Sequence, residues 1–215
     1  MKSKKEQILD TCFSLFLEKG YDNTSISDIL SKLDIARGTL YYHFPSKEAI
    51  MDAMIERSAT KIVEEAKTVV SQTELSVPEK IFALFSGTSM KLMKGGDLMI
   101  DYLNQPQNAL FHEKSNRACI QKISPLLGDI IKEGVEKDIF DNSFPYETAE
   151  IILVMIMVFL DGHYEDRSLE QRTESLLYNM ERILGATEGS FDKLKVLTSY
   201  EKRENGCTID SCVDW

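Results

Sequence analysis

Apolar residues recur along this chain at intervals of three and four almost from end to end. Alternation with a period of two is nearly absent, so the pattern predicts helices and no sheet. A first helix is expected over about residues 4–19, with Ile8, Cys12, Leu15 and Phe16 on one face and Gly20 closing it. A second starts at Thr24 or Ser25. There Ser25-x-x-Asp28 has the form of a capping box, and Ile26, Ile29, Leu30 and Leu33 make the apolar side. A third covers about 36–43 and is stopped by Pro45, after which Ser46 can cap a fourth that continues to about 70. Beyond a polar stretch at 71–77, Pro78 suits the first turn of a fifth helix ending near Gly95-Gly96. The remaining pattern gives a short helix over 97–104 and a long one over 109–137 with Pro125 as an internal kink. A very apolar helix over 145–162 and two more over 169–184 and 189–204 follow. The tail at 206–215 carries no pattern and is expected to be disordered.

The third helix is too short to be stable alone and must rest on the two before it, with Leu40 and Phe44 on its inner side. That leaves Arg37, Gly38, Thr39, Tyr41, Tyr42 and His43 for its outside and flanks. Two helices joined by a short turn, the second bearing such residues, is how a helix-turn-helix presents itself to the major groove of DNA. Arg37 in the first turn can reach guanine N7 and O6, and Tyr hydroxyls can donate to phosphates while their rings pack on sugars and thymine methyls. Gly38 weakens the helix by about 1 kcal/mol but lets backbone approach a base pair closely. Lys47 is placed for a phosphate at the start of the fourth helix, and Ser25 and Ser27 at the start of the second are further DNA-contact candidates. Each residue has a plainer alternative. Tyr41 or Tyr42 can be half-buried core, His43 can cap its own helix, and Arg37 and Lys47 can be ordinary solvated charges.

Charge sharpens the division of the chain. The 215 residues carry a formal net charge of −10. Residues 1–48 hold seven Lys and Arg against seven Asp and Glu, so the whole excess of acid lies beyond them. An acidic body repels DNA, and only the near-neutral N-terminal end can face it. Cys12 reads as core, while Cys207 and Cys212 lie in the polar tail with no nearby His. His112 and His163 have no metal-ligand spacing either, so neither a metal nor another cofactor is expected. The longest apolar run, 151–160, is about half of the roughly 20 residues needed to cross a bilayer, and no signal sequence opens the chain. A cytoplasmic protein without a membrane role is the expectation.

Residues 8–51 resemble the DNA-binding domain of TetR-family transcriptional regulators. The resemblance is carried by Ile8-Leu9 and Phe16, Lys19-Gly20-Tyr21, Thr24-Ser25-Ile26, Asp28-Ile29, Gly38-Thr39-Leu40-Tyr41-Tyr42-His43-Phe44 and Ser46-Lys47-Glu48. A second likeness is Glu133-Gly-Val-Glu-Lys-Asp-Ile-Phe140 before an acidic, apolar helix. Two positions depart from the family's usual pattern. Asp34 stands where a Gly commonly makes the turn, and Ala36 where a Ser would cap the third helix. Asp tolerates positive φ better than most residues, and the missing cap costs about 1 kcal/mol.

The resemblance implies an all-α homodimer. A three-helix DNA-binding domain with the helix-turn-helix, residues 1–47, would be followed by a helical ligand-binding and dimerisation domain, residues 48–205. It also implies that the helices over 145–162 and 169–184 pair across the dimer axis, through Ile152, Met155, Ile156, Leu176, Leu177, Met180 and Ile183. The alternative is that these residues pack within one subunit. Residues suited to lining a small-molecule pocket are Phe82, Phe85, Met90, Met93, Tyr102, Phe111, Phe159 and His163, together with Tyr164, although aromatic and Met stripes at helical spacing are more often core. The body offers few basic residues on its apolar helices, and Lys80, Lys91 and Lys94 are expected on solvated faces. An apolar or aromatic inducer, neutral or cationic, is therefore the expectation. No nucleophile elbow, phosphate loop, His-Glu metal motif or GxGxxG occurs, so the chain reads as a ligand-responsive repressor of a double-stranded, pseudo-palindromic operator and not as an enzyme. A ligand-independent or activating regulator would use the same DNA-binding end.

Overall fold

The computed structural model describes residues 2–71, 74–88, 102–159 and 168–198, and all regular structure among them is helical. Three helices come first: α1 Lys4–Lys19 and the short α2 Ile26–Leu33 and α3 Arg37–His43. Both α1 and α2 begin with full capping boxes, Ser3 with Glu6 and Ser25 with Asp28, each satisfying two backbone N–H groups that a helix start leaves without partners. Asp34 ends α2 in the left-handed region at φ 49°, so it takes the turn conformation that a Gly would otherwise supply. Ala36 gives α3 no side-chain cap. The helices that follow are α4 Lys47–Val70, α5 Val77–Thr88, α6 Ala109–Glu136, α7 Pro145–Phe159 and α8 Leu169–Leu184, with a short α9 at Lys195–Thr198. A 3-10 turn at Pro106–Asn108 leads into α6 and another at Asp192–Leu194 into α9. Ser46 caps α4 as expected, its Oγ accepting the Ala49 N–H at 3.0 Å. Pro125 lies inside α6 without ending it. The ends of the helices expected at 78–96, 145–162 and 189–204, most of the one expected at 97–104 and the whole 206–215 tail lie outside the described residues.

Two compact units divide the described chain. One comprises residues 2–59 and 102–115, and the other 60–71, 74–88, 116–159 and 168–198. The unit that carries α1–α3 therefore does not stop at residue 47. It takes in the first turns of α4, where Ile50, Met51, Met54 and Ile55 are buried along with Ile8, Cys12, Phe16, Ile29, Leu40 and Phe44. It also takes in a segment from much later in the sequence.

The second unit is built around one apolar cluster that includes Ile81, Leu84, Ile123, Leu127, Ile130, Ile152, Leu176, Met180 and Leu184. The Glu133–Phe140 stretch has a local explanation there. The chain leaves α6 through Asp138 at φ 56°, the Gly134 carbonyl accepts the N–H groups of Ile139 and Phe140, and the Phe140 ring folds back onto Gly134, where any Cβ would collide with it. The expectation that Lys80 is solvated is corrected. It is only 8% exposed, and Glu133 neutralises its ammonium at 2.7 Å. Burial of the long stem is tolerated because the charge at its tip is paired.

Candidate nucleic-acid interface

Helix α3 is seven residues long and places its side chains on two clearly different sides. Leu40 and Phe44 are buried and anchor it to its unit. On the other side Arg37, Gly38, Tyr41 and Tyr42 are exposed, with Thr39 and His43 half-buried at the flanks. Tyr42 is 85% exposed, which removes the half-buried core alternative for that residue. Its ring meets His43 edge-on at 5.1 Å, so two aromatic side chains stand together at the C-terminal end of the helix. A Cβ built on Gly38 meets nothing within 4 Å. The missing side chain is thus not required by any neighbour within the chain.

Ser25 is exposed, but its hydroxyl serves the α2 cap. It accepts the Asp28 N–H at 3.1 Å and donates to the Asp28 carboxylate at 2.5 Å. Asp28 also accepts Lys19 Nζ at 2.6 Å. The Lys19 ammonium, and after it Ser25, holds this carboxyl well below the usual carboxylate range. Ser27 is exposed one residue inside α2.

Lys47 occupies a different place from the one its sequence position suggests. Its ammonium donates to the carbonyls of Tyr21 at 2.7 Å, Thr24 at 2.9 Å and Asp22 at 3.5 Å, and stands 4.3 Å from the centre of the Tyr21 ring. Burial pushes its pKa down. Two of the three N–H donors are held firmly by the turn between α1 and α2 and the third has only the distant Asp22 carbonyl, so the ammonium is spent chiefly on this turn. A cation that sequence reasoning missed is Lys5, whose ammonium lies 5.6 Å from the Phe44 ring centre, beside the end of α3. Only the Lys2, Lys4, Lys5 cluster hinted at it, because the fold and not the sequence brings α1 to α3.

The other expected site residues fall into two groups. Tyr102 and Phe111 are buried and stack edge-on at 5.8 Å in the unit of α1–α3. Phe85 belongs to the core of the other unit and the half-buried Phe82 packs against it, while the Phe159 ring there lies 5.1 Å from the Arg172 guanidinium. Met90, Met93, His163 and Tyr164 lie outside the described residues. Of the residues expected at a dimer interface, Ile152, Leu176, Leu177 and Met180 are buried in their own chain's core, Met155 and Ile156 pack against it, and Ile183 is half-buried. The outward side of α7 is instead Ile151, Val154 and Val158, at 51%, 45% and 53% exposure, and Tyr178 is exposed on α8. Cys12 and Cys119 are thiols whose pKa burial pushes up, to about 12 and about 11. No cluster of three or more His, Cys, Asp and Glu could hold a metal among the described residues, and no helix there is long and apolar enough to cross a membrane.

An all-helical chain with α2, a tight turn and an outward-facing α3 is a helix-turn-helix transcriptional regulator. Residues 8–54 match the family described as "Bacterial regulatory proteins, tetR family", and residues 95–175 match "Tetracyclin repressor-like, C-terminal domain". The chain belongs to the TetR family, whose members are DNA-binding regulators and not enzymes. The HTH-type transcriptional regulator YuxN of Bacillus subtilis is 42% identical over 55 residues, 26% of this chain and 19% of that protein. The biofilm operon icaADBC HTH-type negative transcriptional regulator IcaR of Staphylococcus aureus is 42% identical over 52 residues, 24% of this chain and 28% of that protein. The chain thus matches less than a third of the length of these curated relatives. Among solved structures, the fatty acid degradation regulator FadR from Bacillus halodurans superposes with a TM-score of 0.58 at 21% identity, over 87% of this chain and 98% of that one.

Proposed function

We propose that this regulator is a ligand-responsive repressor. It binds a pseudo-palindromic operator in the cytoplasm as a homodimer and releases it when a small apolar or aromatic inducer binds the C-terminal domain. The observation that carries the DNA reading is the outward side of α3. Tyr41, Tyr42 and His43 are an unusual group to offer to water alone, and Arg37 in the first turn adds a bidentate donor for guanine. The open space at Gly38 supports a close approach of DNA backbone or bases to this turn. Ser25 and Ser27 lie at the start of α2, where helix-turn-helix proteins meet phosphates. With Lys47 committed to the α1–α2 turn, Lys5 is the better placed cation for a phosphate beside α3.

One recognition helix makes too small a contact for specific binding, which favours two per operator. The aliphatic stripe Ile151, Val154 and Val158 offers a second copy the apolar surface that the inward-turned Ile152 and Met180 cannot. Repression is favoured by the negative regulator among the relatives. A neutral or cationic inducer fits a body in which the buried Lys80 is already neutralised by Glu133.

The test is a duplex selected from a random pool by the full chain, followed by sedimentation of the protein alone and on that duplex, and a reporter placed behind it. A two-fold repeated site, a dimer, and a reporter that falls when the regulator is expressed are the expected results. A single asymmetric half-site bound by a monomer would overturn the dimer, and a reporter that rises would overturn repression. A panel of lipophilic cations, neutral aromatics and carboxylic acids, scored by melting shift and operator release, tests the inducer. Response to the acids alone would overturn the charge argument.

A further inference from the structure

The unit that carries the DNA-reading helices contains residues 102–115, which by sequence lie within the matched C-terminal domain. Its centre is Asn108, at the end of the Pro106–Asn108 turn and fully buried at 0% exposure. The Asn108 carboxamide is used at both ends. Its Oδ1 accepts the Tyr21 N–H at 2.8 Å, and its Nδ2 donates to the Tyr102 carbonyl at 2.7 Å. Just before Tyr21, Gly20 stands at φ +84°, and a Cβ there would come within 2.7 Å of the neighbouring Gln107 side chain. The turn between α1 and α2 is therefore gripped from two sides. Asn108 holds the Tyr21 N–H, and Lys47 holds the Tyr21 and Thr24 carbonyls. A second attachment lies at the start of α6, where Lys114 Nζ donates to Glu48 at 2.7 Å and to Asp52 at 2.6 Å on the first turns of α4.

We propose that Asn108 is a positioning residue for DNA recognition. By fixing the α1–α2 turn it sets where α2 and α3 stand, and Lys114 steadies the same unit through α4. The DNA-reading unit is in this sense completed by a segment of the C-terminal half. The helix-turn-helix is not set by residues 1–47 alone, because Tyr21 has its N–H partner at Asn108 and not within α1–α3. If Asn108 were replaced by an apolar residue, the Tyr21 N–H would lose this acceptor and the Tyr102 carbonyl would keep only the Gln105 N–H at 3.2 Å, which is costly for a buried donor. The inference rests on DNA binding, not on the identity or existence of an inducer.

The test uses the full chain and a duplex selected by the wild type, with DNA affinity and amide hydrogen exchange as paired readouts. In Asn108→Ala, exchange at the Tyr21 amide should rise about tenfold or more, while the Leu127 and Ile130 amides of the other unit keep their protection. Affinity for the duplex should fall about tenfold, because the contacts of α2 and α3 no longer form together. If Asn108→Ala lowers the melting temperature but its folded fraction binds the duplex like the wild type, Asn108 is merely structural and the proposal fails. Should Asn108→Ala not fold, Lys114→Glu carries the test, because it alters no buried group. It should weaken binding about threefold and be rescued by adding Glu48→Lys, but not by adding Glu64→Lys, which restores the same net charge elsewhere on α4. Wild-type affinity in Lys114→Glu, or equal rescue by both lysines, would overturn positioning from this segment.

Discussion

Helices α3 and α7 both turn apolar carbon towards solvent, but with different chemistry. On α3 the exposed rings of Tyr41 and Tyr42 end in hydroxyl groups, beside the half-buried His43, and are accompanied by Arg37, so the surface can contact sugars and methyl groups and still satisfy phosphates. On α7 the exposed stripe is Ile151, Val154 and Val158, with no polar atom to offer a charged partner. The contrast teaches that exposure of apolar residues does not by itself name a partner. Polar tips suit nucleic acid, and bare aliphatic side chains suit another apolar helix face. The two also differ in what holds them. α3 is short and uncapped and depends on Leu40, Phe44 and the turn beneath it, whereas α7 sends Ile152 and Leu153 into a large core.

The largest expected effect comes from placing a charge in the aliphatic stripe. Val154→Asp should weaken self-association by 100-fold or more, because an unpaired carboxylate buried at an interface costs about 3 kcal/mol or more. The monomer should keep its melting temperature within a few degrees, since the position is already exposed. Sedimentation velocity across a concentration series checks this, and unchanged association would remove α7 from the interface. Ile152→Ala should do the reverse, destabilising the fold by about 2–4 kcal/mol through a core cavity, as chemical denaturation will show. Next comes Arg37→Ala, expected to cost about 1–3 kcal/mol at one base position and to relax preference there, measured against single-base variants of the selected duplex. A uniform loss on all variants would instead make Arg37 a phosphate contact.

Lys47→Ala should have the smallest effect on DNA recognition itself. It takes the ammonium from the Thr24 carbonyl and from the Tyr21 carbonyl, which keeps only the Thr24 N–H, and should lower stability by about 1–2 kcal/mol, with the salt slope of binding unchanged. Lys5→Ala should instead lower that slope by about 1. Anisotropy titrations from low to moderate salt separate the two. A slope reduced by Lys47→Ala and untouched by Lys5→Ala would restore the direct reading of Lys47.

Much of the fold was legible in the sequence for local reasons. Helix spacing, the Ser25-x-x-Asp28 box, Gly20 and Pro45 act within a few residues, and the observed bounds of α1, α2 and α4 follow them closely. Asp34 in the left-handed turn and Ala36 without a cap are also local, and both were readable. What could not be read depends on contacts between segments far apart in sequence. Lys47 looked like a phosphate ligand because nothing near it in sequence shows the Tyr21, Asp22 and Thr24 carbonyls converging on its ammonium. Lys80 looked solvated because its partner Glu133 lies in another helix. On α7 the apolar residues exceed what one helix face can hold, so the pattern could not tell the inward Ile152 from the outward Ile151 and Val154. Asn108 carried no signal in the sequence, because its partner Tyr21 lies 87 residues away and is brought to it only by the fold.

The central claim is that the outward side of α3 is shaped for DNA and not for folding, and Gly38 tests it most directly. Inside the chain a methyl group at Gly38 meets open space, and Ala is the better helix former by about 0.5–1 kcal/mol. Gly38→Ala should therefore melt a few degrees higher than the wild type and yet bind the selected duplex at least tenfold more weakly in the same buffer. Wild-type affinity in a protein that melts higher would contradict the account, because the bare turn of α3 would then serve neither the fold nor the DNA.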